Sequence, residues 1–147
     1  MNRLFLDSNV LFTAAHNPDG KAALVVRLAV EGRWRVVASE HVIEEARRNL
    51  AAKYSWALDR LTVVTAALRI VGQPSPGKVV AAGGISPGRS SLPPQDRLVL
   101  DAALGCGATH LLTGDLRHFG PLMSAPESTA GLLIQTEAEY LNGFAAR

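Results

Sequence analysis

A single cysteine stands among the 147 residues. Without a partner Cys106 can close no intramolecular disulfide, and a Cys-rich zinc site is excluded with it. A buried, inert thiol in an Ala/Gly-rich helical stretch is the reading that remains. Long apolar runs are missing too. No segment approaches the ~20 residues a membrane-spanning helix needs, and the opening MNRLFLDSNV lacks the long apolar core and small-residue cleavage site of a signal peptide. The expectation is a cytoplasmic protein with no membrane association. Charge of one sign is also lacking, because 15 Lys and Arg against 13 Asp and Glu leave only +2. There is no internal repeat, no Walker-type phosphate loop, no G-x-G-x-x-G fingerprint and no convincing Ser-His-Asp order. His16, His41 and His110 have no mutual spacing that suggests a catalytic pair.

What is present is a chain with 48% apolar and 19% charged residues, spread along its length and sufficient for one globular domain, residues 1–147. Leu4-Phe5-Leu6 reads as a short buried strand ending at Asp7, with a helix at once behind it. Lys21 to Val30 suits a buried helix closing near Gly32, and Val36-Val37-Ala38 a second strand. Ser39 is placed to cap a helix whose Val42, Ala46 and Leu50 share one face. A further helix is expected from Tyr54 to Leu68, then a strand at Ile70-Val71. Residues 72 to 95 are rich in glycine and proline around a brief strand candidate, Val79-Val80. After Pro93-Pro94 comes a helix stopping at Gly107. Strands at Leu111-Leu112 and Leu132-Leu133-Ile134 follow, and Thr136 caps a last helix through Phe144. Strands alternating with helices predict a mostly parallel sheet in an α/β sandwich, with function at the carboxyl ends of the strands.

Two of those strand ends carry an aspartate, Asp7 and Asp115. Alone, each reads as a helix cap or a turn residue; together, they are brought to one edge by the sheet. Asp96 opens a helix after two prolines, where capping is the default, and Glu45 lies on a helix among arginines. As a set the four offer oxygen ligands, the preference of hard Mg²⁺ or Mn²⁺, whereas zinc favours His or Cys. Clustered carboxylates repel and resist ionisation unless a divalent cation compensates them. Such a cation can polarise a phosphodiester oxygen, activate water and stabilise the leaving oxygen.

The order Leu-Phe-Leu-Asp7-Ser-Asn9, then Ser-Glu-His-Val-Ile-Glu-Glu45-Ala-Arg-Arg-Asn-Leu, then Asp96-Arg-Leu-Val-Leu-Asp-Ala-Ala-Leu, then Thr-His-Leu-Leu-Thr113-Gly-Asp115 resembles the PIN-domain family over almost the whole chain. The resemblance implies a three-layer PIN-like sandwich, with a central mostly parallel β-sheet flanked by α-helices. It implies that Asp7, Glu45, Asp96 and Asp115 are the catalytic, metal-holding acids, and that Asn9 and Thr113 support them by hydrogen bonding. It implies a Mg²⁺- or Mn²⁺-dependent endoribonuclease leaving a 3′-hydroxyl and a 5′-phosphate, commonly the toxin of a toxin–antitoxin pair. RNA, a cognate antitoxin and a second copy in a homodimer are the implied partners. The register Glu-Ala-Arg-Arg-Asn-Leu favours Glu45 over Glu44. Asp96 is preferred to Asp101, since five helical residues turn the second carboxylate by roughly 140°; Asp101 reads as an exposed helix residue, with a supporting role behind the site as the lesser alternative.

Arg117 and His118 could touch phosphate at the mouth of the site, or belong to a solvated loop anchored by Phe119. Arg47, Arg48, Arg89 and Arg97 could form an RNA track with the Arg89-Ser90-Ser91 loop. Trp34 and Trp56 could stack on bases, with core or subunit packing the commoner use of such rings. Two other functions compete with the nuclease. A haloacid-dehalogenase-like phosphatase would need an acid two residues after its nucleophilic aspartate, where Asn9 stands. A non-catalytic PIN-like module would bind RNA or protein without cutting.

Overall fold

The protein is described from a computed structural model covering residues 1–75 and 87–146; the Val79-Val80 strand candidate lies outside the described residues. Among the described residues five strands form one sheet in the order β3-β2-β1-β4-β5, every neighbouring pair parallel. They are β1 (Arg3–Leu6), β2 (Arg35–Ser39), β3 (Arg69–Val71), β4 (His110–Leu112) and β5 (Leu133–Gln135). The sheet is flanked by α1 (Ser8–His16), α2 (Lys21–Val30), α3 (Glu40–Lys53), α4 (Leu58–Ala66), α5 (Pro87–Ser90), α6 (Pro94–Gly105), α7 (Leu116–Phe119) and α8 (Glu137–Ala145). This is the α/β sandwich expected of the sequence, and its sheet is wholly parallel.

Parallel strands covered on both faces read as unbroken apolar runs rather than alternating ones. Leu4, Phe5 and Leu6 in β1 and Leu111 and Leu112 in β4 are accordingly buried without remainder. Helix α1 touches α2, α3 and α4, so these four pack together, while α6 lies against α5 and β4. Parallel crossovers are right-handed. Because β2 and β3 extend the sheet on one side of β1 and β4 and β5 on the other, the strand order reverses between β1 and β4. Open α/β sheets bind ligands at that reversal.

The helix boundaries have local causes. Ser39 Oγ accepts from Val42 N at the start of α3. Thr136 and Glu139 form a capping box on α8. Both α2 and α6 end at a left-handed glycine, Gly32 (φ 88°) and Gly107 (φ 72°). In each the paired six-to-one and five-to-two bonds form, Arg33 N to Leu28 O with Gly32 N to Ala29 O, and Ala108 N to Ala103 O with Gly107 N to Leu104 O. These turns feed the chain directly into β2 and β4. The expected helix from Tyr54 to Leu68 is instead a 3₁₀ turn, Ser55–Ala57, followed by α4. Trp34 is core: its Nε1 donates to Val25 O at 3.0 Å, and Tyr140 and Phe144 meet its ring edge-on. Truncating such a ring costs about 3–5 kcal/mol.

Candidate active site

At the reversal, β1 delivers Asp7 and β4 delivers Thr113 and Asp115. The strands are held level there by Asp7 N, which donates to Leu112 O at 3.0 Å. Asp7 is the N-cap of α1, as a residue ending a strand and opening a helix should be, and the residue is only 4% exposed. Its Oδ1 accepts from Ser8 N at 2.7 Å. Its Oδ2 accepts from Thr113 Oγ1 at 2.8 Å and from Asn9 Nδ2 at 3.2 Å. Burial nonetheless dominates and pushes the acid up to about 6, against the lowering by Thr113 and the Ser8 amide, with further raising from the charges of Glu45 and Asp96.

Thr113 is fully buried and works in three directions. It donates to Asp7 and accepts both from Asn9 Nδ2 at 3.3 Å and from Asp115 N at 3.1 Å. Asn9 spans the same gap, its Oδ1 accepting from Gly114 N at 2.6 Å. Asn9 and Thr113 thus both donate to the same oxygen of Asp7. A carboxamide neither releases nor takes up a proton near neutral pH, so the acid or base that a dehalogenase-like phosphatase needs is absent from position 9.

Glu45 and Glu44 part company on α3. Glu45 Oε1 accepts from Ser8 Oγ at 2.5 Å, which turns it toward the β1 edge; Glu44 pairs with Arg47 in solvent. Ser8 was not expected in the site, because its link to a residue 37 positions later leaves no trace in sequence spacing.

Asp96 is not the helix cap it resembles. Pro93 occupies the N-cap of α6 and Asp96 stands in the first turn, half-buried, with its acid raised by burial and by Asp115 and Glu45 and lowered by His118. His118 Nδ1 lies 3.2 Å from Asp96 Oδ2 and 2.8 Å from Asp115 Oδ2. Asp115 in turn caps α7, accepting from His118 N at 3.1 Å. One ligand atom from each of Asp96, Asp115 and His118 can be chosen within 4.8 Å of the others. The mouth loop is thus a short helix whose Phe119 is buried as the anchor, whose His118 turns inward and whose Arg117 is exposed.

Asp101 departs from expectation. It is buried, and Arg89 grips it with two bonds, Nε to Oδ1 at 2.8 Å and Nη2 to Oδ2 at 3.0 Å. The roughly 140° turn from Asp96 does take it off the site face, but into a buried ion pair rather than into solvent. Arg97 is likewise occupied, by the carbonyls of Leu92 and Ser90, and Arg47 by Glu44. Three members of the supposed RNA track therefore have intramolecular partners, while Arg48 is exposed.

A cleft of about 350 Å³ opens on the cluster, lined among others by Ser8, Asn9, Glu45 and Asp115. A larger one, about 450 Å³, runs along β3 to Arg3 and Cys106 and has no carboxylate in its lining. Acids that burial discourages from ionising, held by fixed donors around an open cleft, suit a divalent cation, whose charge would reverse that penalty.

No curated protein matches the chain, but solved structures match its fold. VapBC2 from Rickettsia felis, bound to a DNA fragment from the promoter, is 16% identical over 91% of this chain and 98% of that one, with a TM-score of 0.66. DNA-bound VapBC from Salmonella typhimurium is 19% identical over 93% and 99%, with a TM-score of 0.61. VapC20 of Mycobacterium tuberculosis, described as a sarcin-ricin loop cleaving toxin, is 15% identical over 76% and 91%, with a TM-score of 0.53. The PIN-domain family model matches residues 3–117, a span that begins with β1 and takes in Asp7, Glu45, Asp96 and Asp115, and the chain therefore belongs to the PIN-domain family.

Proposed function

We propose that the protein is a Mg²⁺- or Mn²⁺-dependent endoribonuclease that hydrolyses RNA phosphodiester bonds, acting as the toxin of a toxin–antitoxin pair. The observation that carries this reading is the convergence of Asp7, Asp96 and Asp115, with Glu45 turned toward them, at the reversal of strand order in a PIN-domain chain. Asp7, Glu45, Asp96 and Asp115 would hold the cation, and His118, already on two of them, is a further donor. Once bound, the cation supplies Lewis acidity toward phosphate and water and neutralises charge developing at the phosphorus.

The chain's own residues prepare that site. Thr113 and Asn9 fix one oxygen of Asp7, and the Ser8 amide fixes the other, so the carboxylate is pre-aimed rather than free to rotate. Ser8 orients Glu45 in the same way. Asn49 and Lys53 line the cleft beyond Glu45 and offer polar and cationic contacts to a strand whose phosphate enters between the acids.

Incubating the purified chain with single-stranded RNA in Mg²⁺ or Mn²⁺ tests the reading. Cleavage should stop with chelator, fall at least 100-fold in Asp7→Asn, and leave 3′-hydroxyl and 5′-phosphate ends. A fully active Asp7→Asn, or products ending in 2′,3′-cyclic phosphate, would overturn it.

The toxin half of the proposal draws support from similar folds found in VapBC complexes. It predicts a short neighbouring open reading frame with a DNA-binding pattern, whose product restores growth to cells expressing this chain. Failure of any such neighbour to restore growth would remove the toxin half and leave the nuclease half standing.

A further inference from the structure

The cleft does not end at its carboxylates. Glu45, Asn49 and Lys53 follow one another at four-residue spacing, one face of α3, and all three line the cleft. Eight helical residues at 1.5 Å each carry that stripe about 12 Å away from the acids. It arrives at a group of rings. Lys53 Nζ lies 6.0 Å over the ring of Phe12, itself part of the cleft wall. Phe12 stacks on His16, with centroids 6.0 Å apart and planes 27° apart. His16 packs on Tyr54 at 4.1 Å, and Trp56 closes the group at 5.8 Å from His16.

Phe12 and His16 are half-buried, Phe12 against the core, but the outer two rings are exposed. Trp56 is 59% exposed and Tyr54 37%, although an aromatic side chain left in water forgoes about 1.5–3 kcal/mol of burial. Trp34, the other tryptophan, is buried and hydrogen-bonded. A partly uncovered ring cluster beside a cation, continuous with a polar cleft, has the composition of a single-strand nucleic-acid platform: a flat face for a base and a charge for its phosphate.

We propose that Phe12, His16, Tyr54 and Trp56 form a stacking shelf for an unpaired base flanking the phosphate at the carboxylates, with Lys53 meeting the backbone between the two. The shelf deepens the nuclease reading and rests on it for the position of that phosphate. It favours unpaired substrates, because a base held in a duplex presents no face to a ring. A covering protein would need only the rings; the polar stripe of Asn49 and Lys53 leading back to the acids is what a nucleic-acid strand uses.

The probe is a 12-nucleotide unstructured RNA. Binding is measured by anisotropy and tryptophan fluorescence in the Asp7→Asn background, and cleavage by steady-state kinetics in the parent. Trp56→Ala should weaken binding about tenfold, the loss of one stacked base, and the cleavage defect should fall on KM. Trp56→Phe, which keeps an aromatic face and guards against a folding defect, should bind within about threefold of the parent. The RNA should quench tryptophan fluorescence, and an abasic RNA of the same length should not. Unchanged binding in both Trp56→Ala and Tyr54→Ala would overturn the shelf. So would sedimentation showing that Trp56→Ala dissociates a dimer while RNA affinity stays put, since the rings would then serve a second copy. A parent chain that quenches with RNA but cuts nothing in either metal would sink the nuclease reading and leave the shelf standing.

Discussion

The hydroxyl of Thr113, at the end of β4, donates to Asp7 Oδ2 across 2.8 Å at the end of β1, joining the two central strands through a side chain where their ladder stops. The same oxygen accepts from Asp115 N, so one buried threonine orients two of the four acids. Thr113→Val keeps the shape and removes these two bonds together with the one from Asn9 Nδ2. Without its donor the Asp7 acid rises above its present value of about 6, and the affinity of the site for Mn²⁺ should fall 10- to 100-fold, the usual effect of losing a partner behind a metal ligand. Thr113→Ser should restore most of it. Isothermal titration of the three proteins with Mn²⁺ checks this, and wild-type affinity in Thr113→Val would refute the orienting role.

Asp7 should make the metal-free protein less stable at neutral pH than in mild acid. Its folded value of about 6 lies above the ordinary 3.8, so between those values the folded state holds a proton that the unfolded state has released. The stabilisation is complete below 3.8 and is lost as pH rises through 6. At 1.36 kcal/mol per unit the loss is on the order of 3 kcal/mol. Asp7→Asn removes that charge and gives up about one hydrogen bond, since an amide cannot accept at both ends, at a cost of about 1 kcal/mol. The variant should therefore melt several degrees higher than the parent at pH 7.5 in chelator, with little difference at pH 4. Equal melting temperatures at both pH values would show that Asp7 carries no desolvation penalty. A stabilised, inactive Asp7→Asn is the expected trade between stability and activity.

Glu44 and Glu45 provide a paired test of which face of α3 works. Glu45→Gln keeps the Ser8 hydrogen bond and loses the charge, and cleavage should fall by about 10² or more if that charge is used at the metal. Glu44→Gln breaks only a solvent pair with Arg47, and both cleavage and melting temperature should stay at the parental value. Matching defects in the two variants would mean that α3 acts through its overall charge and not through Glu45.

The central strands and their acids were readable in the sequence because the relevant signals are local. Leu4-Phe5-Leu6 and Leu111-Leu112 are apolar runs that stop at polar residues, and a parallel sheet brings such stops to one edge. What escaped depends on contacts remote in sequence. The turn of His118 onto Asp96 crosses from α7 to α6, and no spacing encodes it. Trp34 and Trp56 are alike in the sequence, yet one fills the core and the other stands in solvent. Asp101 shows the limit most clearly. Helical periodicity assigns it a face, but only the segment packed on that face decides whether the face is wet, and that segment begins at Pro87 after a stretch whose glycines and prolines carry no periodic signal.

The Arg89–Asp101 pair consequently makes a last, separate prediction. Asp101 is buried, Arg89 is about one-third exposed, and their two parallel bonds tie α5 to α6. Arg89→Met leaves a buried carboxylate without its counter-charge, which costs about 3–5 kcal/mol where both partners are enclosed. The solvent reaching Arg89 reduces this to roughly 2–3 kcal/mol. Arg89→Met/Asp101→Leu removes the orphaned charge as well, and urea denaturation should return most of the lost stability. A double variant no more stable than Arg89→Met would mean that the arginine acts through its aliphatic packing and not through the pair. Because α6 also carries Asp96, the single variant should lower metal affinity in step with stability, and the double variant should recover both together.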